Sequence, residues 1–395
     1  MSTSGQDKGA KVVSLRDKAA VVGIGQTEYS KESGRTELAL ACEAIAKAAQ
    51  DAGIDVAEID GLVRYDMDTV DEVALTSHAG LKNLSWMSHT GYGGTGGNAV
   101  VAHAAAAIAS GMANTVVCYR SLNERSGKRY GRGETWMRPE VDGFEAFQMP
   151  WGMLTPAHQF GQFARRHMIE YGTTSEQFGE VAVTLRHHAS RNPNAMMQKP
   201  ITLGDHQASR MIADPLRLFD CCIESDGACA VIVTKADRAR DTKHPPAWIM
   251  GAAQGSGTRA QGVVFRDDLS TPESTYTAAS VYRSAGVSAA DIDAVMIYDH
   301  FTPFVILSLE AYGFCKPGEG GAFVENGRIR FDGELPVNTH GGNHSEAYIH
   351  GLPHVIEAVR QLRGTSTSQV PDAELILSCS SVAQLSAAVI LRKDR

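Results

Sequence analysis

Two stretches far apart in the chain share one pattern. Residues 48–65 read "AAQDAGIDVAEIDGLVRY" and residues 281–298 read "VYRSAGVSAADIDAVMIY". Each has the end of a helical segment, an "AG" followed by a β-branched residue, then "ID" and a strand-like apolar run. Such a repeat predicts a duplicated chain, with two α/β halves stacked on each other. The 395 residues are enough for both.

The segments around each copy fit this. In the first half, a β-branched strand at 19–29 precedes a helix at 36–53, with Thr36 as N-cap and Gly53 as its stop. The short strand "DGLVRY", a glycine-rich stretch at 89–98 and an alanine-rich helix follow, then a strand at 114–120. The first half closes with the strand "ACAVIVT", and the second alternates in the same way: strand "AWIMGAAQGSG", helix "PESTYTAASVYRSAG", strand "IDAVMIYD", helix "PFVILSLEAYGF", and closing strands "ELILSCS" and "SAAVILRK". Between about 121 and 212 the pattern loosens into a region inserted in or lying over the sheets, with helices at 157–171 and 175–190. The expected organisation is a disordered polar tail at 1–17, a first half at 18–240 that includes this loop domain, and a second half at 241–395.

Composition narrows the function. Hydrophobic residues make up 43% of the chain and charged residues 21%, the balance of a globular protein. The net charge of −8 argues against nucleic acid as the main partner. No apolar run is long enough to span a membrane, and the polar start lacks the apolar stretch of a signal peptide. The seven cysteines have no framework spacing, which fits a reduced, cytoplasmic setting.

Several motifs suggest chemistry and then weaken. "GIGQTE" (23–28) opens like a dinucleotide fingerprint, but Glu28 stands in place of the third glycine. Histidines 340, 344, 350 and 354 form two H-x-x-x-H pairs, a zinc spacing on a continuous helix. Gly341 and Gly342 interrupt the first pair, and Gly351 and Pro353 the second, so no metal is expected. "GYGGTGGN" before a helix offers free N–H groups to an anion or oxyanion, or simply allows close helix packing. Cys222 and Cys229 read as core residues beside a strand. "RHHASRNPNA" (186–195), with Arg165, Arg166 and Lys199, is a basic concentration in an acidic chain. It reads equally as an anion site or a solvated face.

Longer blocks resemble a known family. "EYGTTSEQFGEVAV" (170–183), "RHHASRNPNAMMQKPIT" (186–202), "DPLRLFDCCIESDGACAVIVTKADRA" (214–239), "YDHFTPFVILSLEAYGFCKPGEGGAF" (298–323) and "LPVNTHGG" (335–342) are similar to the thiolase superfamily. The resemblance is to its branch of sterol carrier protein x and lipid-transfer thiolases, and it covers nearly the whole chain after the polar tail. It implies a thiolase fold: two β-α-β-α-β-α-β-β halves in five α-β-α-β-α layers, with a loop domain above the active site.

The departures from the family pattern carry the functional reading. The family's nucleophilic cysteine falls at or beside Gly94, and no cysteine lies between Cys42 and Cys118. Without that thiol the family's acyl-enzyme cannot form. The histidine opening the family's "HDCF" block is Tyr298 here, and that of its "GHP" turn is Tyr348. This pattern resembles the bacterial steroid side-chain-cleaving aldolases, which act on β-hydroxyacyl-CoA thioesters in sterol or bile-acid side-chain degradation. By that resemblance the reaction is a retro-aldol cleavage of a 17-hydroxy steroid side-chain CoA thioester to a 17-keto steroid and a short acyl-CoA such as propionyl-CoA. The resemblance also implies a homodimer, joined by a small OB-fold/zinc-ribbon partner into a heterotetramer.

Under this reading Tyr298 and Tyr348 are the acid/base pair, and a nearby histidine or helix N-terminus would stabilise a phenolate. His340 and backbone N–H groups would polarise the thioester carbonyl. Gly94, Gly97, His300, His344 and Glu346 complete the substrate and oxyanion site. Arg165, Arg166, Arg186, Arg191 and Lys199 would meet the CoA phosphates. No cofactor is expected beyond the CoA of the substrate. Two alternatives stand beside it: a silent acyl-CoA-binding subunit, and a thiolase using a displaced cysteine, with Cys379 near the family's second cysteine.

Overall fold

The computed structural model describes residues 14–394 except 92, 136, 138–139, 258–261 and 383–384. The first half runs β1 (Ala19–Gln26), α1 (Glu37–Ala52), β2 (Gly61–Tyr65), α2 (Glu72–His78), β3 (Trp86–Thr90), α3 (Gly93–Ala109) and β4 (Thr115–Asn123). An overlying region follows, with α4 (Pro156–Tyr171), α5 (Ser175–Ala189), α6 (Leu203–Ala208) and a small ribbon of β5 (Met211–Ala213) and β6 (Leu216–Arg217). β7 (Asp226–Lys235) and the short α7 (Ala236–Ala239) complete this half. The second half runs β8 (Ala247–Gly255), α8 (Ser274–Ala285), β9 (Ala294–Ile297), α9 (Thr302–Ala311), α10 (Gly320–Phe323), α11 (Gly342–Ser345), α12 (Leu352–Arg363), β10 (Leu375–Ser381) and β11 (Ser386–Arg392).

The sequence repeat is a structural repeat. Thr36 caps α1 through its side chain, and α1 ends at Gly53 (φ 70°). α8 ends in the same way at Gly286 (φ 68°). This left-handed geometry favours glycine. Each helix then leads through one short 3-10 turn into β2 or β9.

The strands form one mixed sheet in the order β3-β2-β4-β7-β1-β8-β11-β10-β9. The halves meet where β1 and β8 pair through Ala20–Trp248 and Val21–Ala247. From that junction the order runs outward as β1-β7-β4-β2-β3 on one side and β8-β11-β10-β9 on the other. The second-half counterpart of β3 is reduced to a parallel bridge from Val295 to Val337.

Burial sets the layers. α3 and α12 lie between the halves, in one core that joins Val63, Val116 and Val231 to Met296, Ile376 and Val389. α1 covers the outer face of the first half with Leu40 and Ile45. α8, α9 and the overlying α4 and α5 cover that of the second. The result is the five-layered α-β-α-β-α arrangement of the thiolase fold. Among the described residues no helix is long and apolar enough to cross a membrane.

Local differences from the sequence reading have simple causes. α3 starts at Gly93, inside the glycine-rich stretch, and its neighbours leave no room for side chains at Gly93, Gly94, Gly96 and Gly97. β3 and α12 were not expected; β3 is short and alternates in burial, and α12 opens with Pro353 in its first turn, where proline is tolerated. β4 extends to Asn123, past the expected start of the overlying region at 121. Of the polar tail, residues 1–13 lie outside the described residues. Its last residue, Asp17, bonds the Ile249 carbonyl and Arg392.

The segment 338–351 is held at its start by one side chain. Asn338 accepts from the Ile297 N–H and donates to its C=O, both at 2.7 Å, as a neighbouring strand would. Replacing Asn338 with alanine leaves two buried backbone groups of Ile297 unpaired, at about 1–3 kcal/mol each. Asn338→Ala is therefore expected to lower the denaturant midpoint measured by circular dichroism, and to reduce activity with it, because Ile297 precedes Tyr298.

Candidate active site

The site forms where β9 and segment 338–351 converge beneath the overlying region. Asp299, directly after Tyr298, is fully buried. It accepts the backbone N–H groups of Asn343 (2.9 Å) and His344 (3.2 Å), and the ring nitrogens His344 Nδ1 and His354 Nε2, both at 2.9 Å. Burial alone would raise its carboxyl pKa; the two histidines hold it below the usual carboxylate range. A side chain at Gly342 would collide with this carboxylate.

The two tyrosines meet. Tyr298 donates to the Tyr348 hydroxyl at 2.9 Å, and both rings are buried. Burial pushes both phenols well above their usual pKa, with Cys222 adding to the effect at Tyr298 and the neighbouring phenol at Tyr348. His300 stacks on Tyr298 with ring centroids 5.0 Å apart. Burial lowers its pKa to about 3, so it is a neutral imidazole. It therefore supplies no positive charge to make either phenol acidic, contrary to the expectation from sequence.

Gly94 faces Tyr298. A Cβ there would lie 2.5 Å from Tyr298 Cε1 and 2.3 Å from Val382 Cγ1. The tyrosine ring and a side chain at position 94 exclude each other.

These groups line one end of a cavity of about 1130 Å³. Gly94, Tyr298, His300, His344 and Tyr348 are on its wall, with Gly93, Glu124, Cys222 and His350. The rest is largely apolar, including Met153, Leu154, Phe160, Met197, Phe219 and Phe301. Lys31, Arg125, Arg129, Arg186 and Arg210 add basic groups.

Other expected positions are elsewhere. Gly97 is a packing residue: a Cβ there would lie 2.6 Å from the Gly351 carbonyl carbon, in the contact between α3 and the start of α12. His340 is off the wall, with its ring 3.8 Å from Glu346 and packed on His354. Burial holds it neutral. Glu346 lies behind the wall, bonded by Asn192 at 2.9 Å, and burial lifts its pKa to about 7. Of the proposed phosphate-binding residues only Arg186 lines the cavity. Arg165 pairs with Asp214 and Arg166 with Glu170; Arg191 lies over Phe331, and Lys199 is exposed.

Cys379 sits in the outer core with its thiol held protonated by burial, far from a nucleophile's requirements. Cys222 is on the cavity wall, a correction to its core reading; burial keeps its thiol protonated too. Among the described residues no group of three or more His, Cys, Asp or Glu is arranged to hold a metal ion. Asp299, Glu124, Cys222 and His350 were absent from the expected site. Asp299 was signalled by its place between Tyr298 and His300; Glu124 and His350 reach the wall only through tertiary packing.

Residues 255–393 match the thiolase C-terminal domain-like family. A steroid side-chain-cleaving aldolase of Thermomonospora curvata is 46% identical over 388 residues, covering 96% of this chain and 99% of that protein. The chain belongs to the steroid side-chain-cleaving aldolases of the thiolase superfamily. A 17-hydroxy-3-oxo-4-pregnene-20-carboxyl-CoA lyase of Mycobacterium tuberculosis is also 46% identical, over 92% of this chain and 96% of its own. The solved structure of an Ltp2-ChsH2(DUF35) aldolase superimposes with a TM-score of 0.91 at 45% identity, covering 96% of this chain and 99% of that one.

Two measurements check this geometry. Gly94→Ala forces a Cβ into Tyr298 and is expected to cost about 1–3 kcal/mol of stability, with loss of activity from the displaced ring. Unchanged stability and turnover would refute the steric account. Stability should also fall in acid. His188 and His300 are depressed to about 3, and His340 and His350 are well below their usual value. Their stabilising effect is complete above the unfolded pKa of about 6.5 and is lost as pH falls through the window down to the folded values. Glu346, raised to about 7, acts in the opposite sense between about 4.3 and 7. Glu124, Asp68 and Glu180, also raised by burial, act in the same sense as Glu346; the four imidazoles are only partly offset, so urea unfolding at pH 5 should show net proton uptake and a lower midpoint than at pH 7.

Proposed function

We propose that this aldolase cleaves the CoA thioester of a 17-hydroxy steroid side chain into a 17-keto steroid and a short acyl-CoA such as propionyl-CoA. The observation that carries the reading is the buried Tyr298–Tyr348 hydroxyl pair on the cavity wall, with Gly94 against the Tyr298 ring. The names of the two relatives at 46% identity support the substrate class.

In the retro-aldol step, the proton of the tertiary hydroxyl leaves, the carbon–carbon bond breaks, and its electron pair becomes the thioester enolate. The oxygen side is released as a ketone. A proton returned to the enolate carbon gives the short acyl-CoA, so no oxidant, reductant or covalent enzyme intermediate is required. The two tyrosines exchange these protons with the substrate. With Tyr298 donating to its hydroxyl, Tyr348 keeps its own proton for the cavity, and Tyr298 stabilises the phenolate formed when that proton is given up. Burial keeps both phenols protonated before substrate binds, so Tyr348 takes the hydroxyl proton only as it passes its own proton to the enolate carbon, one proton in and one out. The apolar wall suits a steroid ring system, and its methionines adapt to shape.

The CoA phosphates belong with the basic residues of the cavity, Lys31, Arg125, Arg129, Arg186 and Arg210, and not with the exposed pairs of α4. The reaction is proposed to use no cofactor. The chain acts in the bacterial cytoplasm as a homodimer joined by a small DUF35-type partner into a heterotetramer; the related complex supports the partner.

Incubating the chain, with and without that partner, with a 17-hydroxy steroid acyl-CoA should yield the 17-keto steroid and free short acyl-CoA. Tyr298→Phe and Tyr348→Phe each remove one hydroxyl and keep the ring. Each should lower kcat by about 100- to 10,000-fold with KM little changed. The double variant should be scarcely worse than the poorer single one, since both serve one proton sequence. Full turnover in both variants would refute the assignment.

A further inference from the structure

His350 belongs to the cavity wall but to none of the steps above. It is 2% exposed. Its Nδ1 accepts a hydrogen bond from Arg120 Nε at 2.9 Å. A guanidinium carries only donors and stays protonated, so Nδ1 must be the bare nitrogen and the ring proton sits on Nε2. Arg120 is itself fixed: it donates to Asp68 at 2.6 Å and to the Ser121 carbonyl at 2.9 Å, and it lies over the Tyr65 ring. Tyr65 also bonds the His350 carbonyl. Burial and the adjacent guanidinium both keep the imidazole neutral.

The free N–H has a direction. A Cβ on Gly93 would lie 2.6 Å from His350 Nε2, so this nitrogen faces the first residue of α3. Gly93 and Gly94 line the same cavity. The first amides of a helix have no acceptor within it. A neutral N–H donor and these amides thus converge beside the tyrosine pair, with the His350 and Tyr348 rings 4.8 Å apart.

We propose that His350 Nε2–H, locked in that tautomer by Arg120 and Asp68, donates to the thioester oxygen and stabilises the enolate together with the amides at the start of α3. This rests on the retro-aldol reading. As the carbon–carbon bond breaks, its electron pair moves onto the thioester unit and charge grows on this oxygen. His350 meets it with a preorganised hydrogen bond, backed by the Arg120 charge through the imidazole. It transfers no proton, because Arg120 cannot replace one lost from the ring. His350 is therefore a catalytic residue by contact, and Arg120 and Asp68 are positioning residues.

Enolate formation can be read without bond cleavage, as exchange of the α-protons of propionyl-CoA in D₂O by the enzyme with its partner. His350→Ala should slow both this exchange and steroid cleavage by about 10²- to 10³-fold, the effect of losing one such donor, mostly in kcat. His350→Gln, which keeps an N–H, should recover part of both rates. In ¹⁵N NMR of the unaltered protein, His350 should show the neutral Nε2–H tautomer from pH 5.5 to 8.5, a readout independent of any variant's folding. Arg120→Lys should broaden that tautomer preference and lower the exchange rate. Undiminished exchange in a folded His350→Ala enzyme, or an Nδ1–H or protonated His350 in the native protein, overturns the inference alone. A native enzyme that cleaves no 17-hydroxy steroid acyl-CoA overturns the retro-aldol reading and this inference with it.

Discussion

A single buried carboxylate organises the site. Asp299 follows the last residues of β9 and takes hydrogen bonds from two backbone amides and two imidazoles of the segment that runs into α12. An unpaired carboxylate at that depth would be far more costly than one so bonded. The arrangement of four donors is therefore mutually required. It fixes the loop against the strand, and with it the distance between Tyr298 and Tyr348, which sit beside the two anchored segments.

Behind the tyrosine end of the cavity, charges stand in pairs. Arg120 and Asp68 lie behind His350, and Arg360 approaches Glu346 behind the loop. Several groups on the wall near the tyrosines are neutral: the phenols of Tyr298 and Tyr348 and the thiol of Cys222 are raised by burial, and the imidazoles of His300 and His350 are lowered by it. Glu124 is raised as well, first by burial and then by Glu224. A neutral wall with fixed donors favours charge that appears only during reaction. The same burial binds the protein to a neutral-pH range, since unfolding releases these groups to titrate normally.

Packing around the Tyr298 ring constrains α3. A side chain at position 94 and the Tyr298 ring would compete for one volume. Nearby glycines have different duties: Gly93 admits His350, Gly96 admits the Tyr65 ring, and Gly97 admits the backbone at Gly351. A glycine-rich stretch that looks uniform in sequence thus supports four separate close contacts.

The sequence by itself determined the duplication and the strand–helix order, because these are carried by local periodicity, caps and motif spacing, and it singled out Tyr298 and Tyr348, whose hydroxyls meet in the structure. Thr36, Gly53 and the paired "AG…ID" stretches are examples. It also singled out Gly94, which the structure places against the Tyr298 ring. The short β3 escaped it because five residues carry little pattern, and α12 escaped it behind the glycines and Pro353 that open it, although its own residues are amphipathic. The tertiary structure decided which polar residues face the cavity. His344 and His350 reach the wall while His340 and Glu346 lie behind it, although all four share one histidine-rich segment. Arg186 lies at the cavity while its neighbours in the basic stretch turn to solvent or surface pairs. Spacing along a loop carries no information on direction once glycines and left-handed residues turn the backbone. Direction there is fixed by partners distant in sequence: Asp299 for His344, Arg120 for His350 and Asn192 for Glu346.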